Sequence, residues 1–489
     1  MIVVAKIVLA VDASGTEQTW WFCTGRGWTT GASDTPASTY IEPRLERSGS
    51  FQRSMWAGGA LFGPQQAAYG TLRVLNGDGA LDAWMGYGFD GRTIELWIGE
   101  EGAAFPSAFT SLGTARMLRA SMTLTAINIV LRDRLEDLSK PICTSTFAGT
   151  GGLEGPSTLT GRIKPRAYGD TFLIPAVLVD TSKNIWFVCE NECDSAGNTV
   201  FVGGVELTVG SNYSSTSDLN STAPSAGQAR FYVGGPTYVR FGTAPAYTVQ
   251  VSPASAKTSS GASPTVANIV IEAGISGATG NVVTAEIYVD DPRTTYLEVL
   301  TREHQQRPSW FGFDKTQAFI SEVVADPTGM TSSLTLTQWD ILSVERVPPP
   351  GVDVPIWRAR TRGRRNYAGH SSMDAAAVAY AHLDYLNSEV SSNSAATKHP
   401  RAGVLSLDTG GIVFGGAAEH LALHGVDRDA FRVSLRLTDA LHASLLALDL
   451  NDCVTLKHPR YGLSSGRKLL VTEIALDFGR DGFDLLLWG

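Results

Sequence analysis

Cysteine is scarce in this chain. Five residues in 489, at positions 23, 143, 189, 193 and 453, make an odd number with no dense spacing, which argues against a disulfide-stapled secreted scaffold. Cys189 and Cys193 enclose Glu190-Asn191-Glu192, a spacing unlike that of a zinc knuckle, and no second Cys/His pair stands beside them. Two cysteines flanking a hairpin turn are expected there. Charge is low as well: Asp, Glu, Lys and Arg make up 18%, with 39 basic against 48 acidic residues and a net charge of −9. That balance argues against non-specific nucleic-acid binding by the whole molecule, and nothing points to sequence-specific binding. No hydrophobic run reaches the ~18 residues of a membrane span. Residues 1–11 are apolar but lack a basic stretch ahead and a clean cleavage site behind, so a buried first strand of a soluble, cytoplasmically made protein is expected rather than a signal peptide.

Catalytic signatures are also missing. The sequence holds no G-x-S-x-G elbow, no G-x-x-x-x-G-K-[ST] loop and no G-x-G-x-x-G after a strand. His420 and His424 stand four apart, but Leu-Ala-Leu separates them where a zinc protease helix would carry Glu, so a structural or surface pair is expected. The adjacent carboxylates Glu100-Glu101 and Asp290-Asp291 would point to opposite faces of a strand and would not converge on one glycosidic bond. Carboxylates distant in sequence could still meet. Arg358, Arg360, Arg362 and Arg364 alternate, with Arg365 following, so the first four share one face of an extended strand. Arginine fits phosphate bidentately, yet a solvated or intersubunit face paired with acids is the expectation. Of the 11 Trp, those at 84, 97, 186, 339, 357 and 488 lie in apolar strand patterns and are expected in core or interface. No catalytic, cofactor-binding or metal-binding residue is assigned.

What the chain has in plenty is glycine and proline, 51 and 22 residues, dispersed among Ser and Thr, with 43% apolar residues to build cores. Many turns and short strands follow. The expected fold is mainly β (α+β), with β-barrel or sandwich domains and a small helical α/β insert. Length allows about three domains. Four segments are expected: an N-terminal β domain over 1–140, a β-rich middle domain with long loops over 141–285, a small α/β insert over 286–350, and a helix plus β-barrel-like domain over 351–489. Strands are expected at 20–22, 69–75, 93–98 and 121–131, with Asn76-Gly77-Asp78-Gly79 forming a tight hairpin. An ordered irregular connection covers 147–176. Strands follow at 176–188, 200–209, 230–233, 237–241 and 247–251, with a polar surface loop over 211–228 and a flexible passage over 255–263. Helix is expected only beyond about residue 290: at 294–305, from Asp314 with Gln317 as a capping-box partner up to Pro327, at 374–389 and at 417–424. Closing strands are expected at 334–337, 432–437, 453–457, 469–476 and 484–488.

Several of these segments, in order, resemble one family. Residues 451–463 include Leu456-Lys457-His458-Pro459-Arg460-Tyr461-Gly462-Leu463; Lys468-Leu469-Leu470-Val471-Thr472-Glu473-Ile474 and the final Leu485-Leu486-Leu487-Trp488-Gly489 follow. They are similar to the closing strands of the tail baseplate hub (tail-tip) proteins of long-tailed, non-contractile bacteriophages and related gene-transfer particles. Leu72 to Leu81 with Phe89-Asp90-Gly91-Arg92, Leu159-Thr160-Gly161-Arg162-Ile163-Lys164-Pro165 with Gly169, the stretch from Gly235 to Pro245, and Arg365-Asn366-Tyr367 resemble four further family segments, with Phe241 in place of a Leu.

The resemblance implies a virion structural protein, not an enzyme, without a cofactor. It would be a ring-forming hub at the tail tip, assembled in the bacterial host cytoplasm, with 351–489 as the hub domain and 453–457 and 469–474 in the barrel wall. It implies a homotrimer whose partners are the distal tail protein, the tail tube or tape-measure protein, and the central tail fibre, serving host attachment and genome ejection. A distal tail ring protein, or a carbohydrate-binding or carbohydrate-degrading tail adhesin, are the competing readings. The role of the 211–228 loop stays open.

Overall fold

In the computed structural model the described residues are 2–46, 50–56, 60–68, 70–280, 283–315, 318–351, 354–409, 416–436, 439–477 and 482–489. Met1, Tyr69, Gln317 and Leu437, which enter the expected elements, lie outside them. The fold is mainly β. An antiparallel six-stranded sheet runs in the order Glu17–Cys23, Ile2–Ala10, Thr93–Gly99, Thr110–Met122, Ala126–Arg132, Thr71–Leu75. The first strand is apolar on both faces, and period-2 alternation sorts it between two cores. Val3, Ala5, Ile7 and Leu9 enter the largest core, whereas Ile2 and Val4 pack with Cys23, Ile41, Phe105 and Phe109.

The last third builds a second sheet, in the order Leu334–Thr337, Cys453–Lys457, Arg467–Asp477, Gly482–Trp488, Ala430–Arg436, Ile341–Val347. Its two edge strands are consecutive in sequence, joined by the turn 338–340. Four Cα steps from Thr337 to Ile341 reach at most about 14 Å, while six flat strands would hold the edges about 24 Å apart. The sheet therefore has to curl until its edges approach. Ser50–Ser54 from the N-terminal third then adds to the same sheet, Gln52 opposite Ala475 and Ser54 opposite Glu473, beyond the irregularity between Val471 and Glu473. One core accordingly takes residues from both ends of the chain, from Val3 to Trp488.

Arg53 fastens this joint. It is 2% exposed; its guanidinium meets Asp449 Oδ1 at 2.5 Å and donates to the Phe313 carbonyl. Nearby, Lys315 donates to the carbonyls of Leu446 and Leu448, and burial pulls its ammonium down to about 8. In the middle of the chain, two small sheets enclose a core of Val188, Val200, Phe231, Val239 and Val251. A further core surrounds the helices Val266–Glu272 and Tyr296–Glu303.

Several local expectations are corrected. Helix begins before residue 290, at Thr216–Ser221 and Val266–Glu272. Residues 211–228 are not a plain loop: Ser215 caps the helix Thr216–Ser221 by accepting from Asp218 N, and buried Arg240 Nη1 donates to Leu219 O at 2.6 Å. Asp314 starts no helix. Its side chain accepts from Ala318 N at 2.9 Å, closing a hairpin between Ser309–Phe313 and Phe319–Val323; so short an apolar run fits either period. Residues 374–389 form turns, a 3₁₀ turn at Ala379–His382 and the strand Leu386–Ser391. There the Ala-rich propensity loses to docking, since Asp374 N and Val378 N donate to the carbonyls of Gly203 and Gly204. Residues 121–131 are a hairpin junction, with Thr110–Met122 turning into Ala126–Arg132. Asn76 to Gly79 make no hairpin either: Thr71–Leu75 pairs with Ala126–Arg132, and the Asn76 side chain accepts from Leu81 N.

Gly161 and Gly169 separate two costs of replacing glycine. Both have positive φ, 78° and 66°, but a Cβ at Gly161 meets nothing, whereas one at Gly169 would strike the Ala285 carbonyl oxygen. Gly161→Ala is expected to cost about 1 kcal/mol of strain and Gly169→Ala about 3 kcal/mol or more. Denaturant midpoints of the two variants check this; equal losses would sink the account.

Candidate functional site

The curled sheet carries the most distinctive surface of the molecule at its edge turn. Asp340 accepts from both Thr337 N and Thr337 Oγ1, at 2.8 and 2.7 Å, which fixes the turn and pushes Trp339 outward. Trp339 is 87% exposed. It stands in a turn, not in the apolar strand expected for it. Facing it across a cleft of about 330 Å³ are Lys457, His458 and Pro459. The connection that supplies His458 and Pro459 also holds exposed Tyr461, and Leu342 is exposed three residues beyond Trp339. Large apolar side chains rimmed by polar ones mark an interaction surface.

A second cleft of about 330 Å³ lies where the curled sheet meets the helix Gly416–His424 and residues 398–399. Its charges are satisfied within the chain. Asp429 pairs with Arg346 at 2.7 Å and Arg467 at 2.5 Å, Asp427 with Lys398 and His399, and Arg428 with Asp326 at 2.6 Å. Trp488 forms part of its wall, with the Arg428 guanidinium 5.3 Å from its ring.

His424 also lines this cleft, and His420 stands one helical turn before it. Both are buried, their rings stacked at 5.9 Å, and His424 lies 6.0 Å from Trp488. The pair is thus internal, not on the surface, and among the described residues no group of three metal-ligating side chains converges. Burial pulls His420 down to about 4 and His424 to about 3, the neighbouring His420 and Arg428 adding to the second shift. His304, also fully buried, is pulled to about 4 by burial while bonded to Leu300 O and Ser321 Oγ. Its neighbour Glu303 is pushed up to about 7 by burial.

Of the arginine run, Arg358, Arg360 and Arg362 lie on a strand, Arg358–Gly363, flanked by Leu386–Ser391 and Val404–Asp408, while Arg364 falls beyond its end at φ 48°, so three and not the expected four share the face. Burial alternates along the strand, with Arg360 and Arg362 exposed between buried Ala359, Thr361 and Gly363. Arg358 and Arg360 share Glu389 at 3.3 and 2.7 Å, and Arg362 meets Asp408 at 3.4 Å. Aromatic rings cover several guanidinium groups: Trp357 at 4.1 Å from Arg358, Tyr385 at 5.3 Å from Arg362, Tyr367 at 5.0 Å from Arg365. Trp357 and Tyr367 are close in sequence to the arginines they cover, whereas Tyr385 and the acids Glu389 and Asp408 come from remote segments.

The remaining candidates are scattered. Glu101 accepts from Arg26 N, and Asp291 pairs with Arg293 at 3.1 Å before the helix Tyr296–Glu303. Trp84 and Trp488 are buried, whereas Trp97, Trp186 and Trp357 are half-buried. Sequence reasoning missed the Arg53–Asp449 joint and the Glu303–His304 pair, since neither has a local pattern.

No family model matches the sequence, and no curated protein matches it. Among solved structures, the 43 kDa tail protein of prophage MuSo2 from Shewanella oneidensis aligns over 99% of this chain and 96% of its own, at 12% identity and TM-score 0.42. A tail protein from Neisseria meningitidis MC58 aligns over 100% and 96%, at 7% identity and TM-score 0.43. A chain of the native gene transfer agent virion aligns over 67% and 84%, at 13% identity and TM-score 0.43. At these identities and TM-scores the likeness carries no argument.

The buried groups predict two opposed pH slopes. For the histidines the folded pKa lies below the unfolded value of 6.5, so the unfolded chain binds more protons and stability falls as pH drops from about 6.5 towards 4, by roughly 3 kcal/mol per ring. Glu303, raised from 4.5 to about 7, works the other way: its neutral form is stable, and stability falls as pH rises from about 4.5 through 7. His420→Asn is expected to flatten the acid slope and Glu303→Gln the neutral one, read as thermal midpoints between pH 4 and pH 8. An unchanged slope in either variant would refute that assignment.

Proposed function

We propose that the chain is a structural part of a bacteriophage tail and, within the tail, the ring-forming hub at the tip that joins the tube and distal ring to the central fibre. The observation that carries this reading is the position of the most specific segment of the family resemblance. Leu485-Leu486-Leu487-Trp488-Gly489 belongs to the central strand of the curled sheet, paired with both Ala430–Arg436 and Arg467–Asp477. Gly489 exchanges two backbone bonds with Asp429, each 3.0 Å, and a Cβ there would sit 2.7 Å from Pro327. These bonds hold the closing segment within the curled sheet, and Pro327 leaves Gly489 little room for a side chain, which supports the reading. Other resembling segments also hold demanding places: Gly242 lies against the Ser225 carbonyl, and Asn366 is buried with its amide on Ala381 O at 3.0 Å.

On this reading the N-terminal and C-terminal β segments form the ring layer, and the middle of the chain is inserted into it. The exposed Trp339 turn belongs to the contact between neighbouring parts. No catalytic role is proposed, and the place of action is the virion.

Native mass of the purified chain tests the hub. Three times 52.1 kDa is the expected species, and Trp339→Ala is expected to weaken it at least tenfold in dissociation constant. A hexamer would transfer the assignment to the distal ring, and a monomer that also fails to join tail tubes would overturn both. The exposure of Trp339 beside a cleft supports a second reading, a carbohydrate-binding adhesin. Quenching of Trp339 fluorescence by host polysaccharide would favour it over the hub.

A further inference from the structure

Cys189 ends the strand Ile185–Cys189, and Cys193 follows across a turn. Their sulfur atoms lie 3.7 Å apart, and the two residues are 0% and 1% exposed. Cys189 also directs its sulfur at the Asn191 carbonyl, 3.5 Å away, as Cys23, Cys143 and Cys453 direct theirs at the carbonyls of Ile41, Val289 and Pro327; what sets the pair apart is the contact between two sulfurs. Burial pushes the thiols of Cys23, Cys143 and Cys453 up, Cys143 to about 11. In the pair, the hydrogen bond between the two sulfurs holds Cys193 below the ordinary range and, with burial, Cys189 above it.

The three residues between the sulfurs form a clasp. Asn191 accepts from Ala167 N at 3.2 Å, donates to Lys257 O at 2.6 Å and takes the Thr237 hydroxyl on its carbonyl at 2.8 Å. Glu190 pairs with Arg166 and Glu192 with Lys257. Segments near residues 166, 237 and 257 are therefore tied together at one turn.

We infer that Cys189 and Cys193 are a modification site: a peroxide-reactive dithiol that closes to an intrachain disulfide and locks the 190–192 clasp. The Cys193 thiolate attacks one oxygen of hydrogen peroxide, the O–O bond breaks, and the departing hydroxide takes up the released proton as water. The Cys189 sulfur then attacks the sulfenic sulfur, forming S–S and breaking S–O, and its thiol proton leaves with the second water. Two thiols lose two electrons and one peroxide becomes two waters. Closing the remaining ~1.7 Å takes side-chain rotation across a contact already made. Because the two sulfurs are out of reach of solvent, peroxide reaches them through local opening of the 190–192 turn.

The test uses the whole native chain, exposed to dilute hydrogen peroxide, quenched, then alkylated in denaturant and mapped by mass spectrometry. The expected result is three alkylated cysteines instead of five. The chain mass should fall by two hydrogens, with the link between Cys189 and Cys193, reversal by dithiothreitol and several-fold slower amide exchange at residues 190–192. Five alkylated cysteines after native exposure, a stable sulfinic acid on Cys193, or a bridge between two chains would each overturn the inference. In Cys193→Ser the thiol of Cys189 is expected to stay alkylatable after the same exposure; its oxidation would overturn Cys193 as the attacking group. The wild-type readout stands alone should that variant fold poorly.

Discussion

A buried cation at the meeting point of three remote segments constrains the rest of this structure. Arg53 reaches Asp449 and the Phe313 carbonyl from a strand that belongs, by sequence, to the N-terminal third. A charge at 2% exposure is tolerated only where its partners are held in place. Residues 313–315 and 446–452 therefore have to arrive in register, and the strand Ser50–Ser54 has to sit on the curled sheet. Once that joint is formed, the two terminal β regions share one core, and residues from the middle of the chain build further cores.

The β character and the closing strands were legible in the sequence because each strand alternates over enough residues to declare its period. Cys453–Lys457 has the expected bounds, and the apolar first strand is buried on both faces. What misled was local pattern without tertiary context. Ala-rich residues 374–389 carry helix propensity, but the neighbouring Gly203-Gly204 turn lets that segment dock closely: a Cβ on Gly204 would lie 2.8 Å from that of Ala377. The polar 211–228 stretch reads as a surface loop in the sequence because its fastening residue, Arg240, is supplied from twelve positions downstream and from within another strand.

The surface features divide the same way. Alternation announced the strand face of Arg358, Arg360 and Arg362, and acids on both neighbouring strands answer it. Trp339 was placed in a strand by its apolar neighbours, whereas Asp340 folds back on Thr337 and turns the ring outward. His420 and His424 had the spacing of a metal pair but the surroundings of a core, with Leu421 and Leu423 beside them and Trp488 against one ring. Spacing alone cannot distinguish a ligand from a packed ring; burial and partners can.

The pairing of Gln52 with Ala475 has a consequence for how the molecule is made. During synthesis the strand Ser50–Ser54 leaves the ribosome long before its partner exists, and the edge turn at 338–340 emerges with no sheet to curl. Several hundred residues must be held without their final neighbours, with apolar faces and open strand edges exposed to other nascent chains. Contacts of such sequence separation are slow to form. Assembly of the shared core is thus a late event in the making of the molecule.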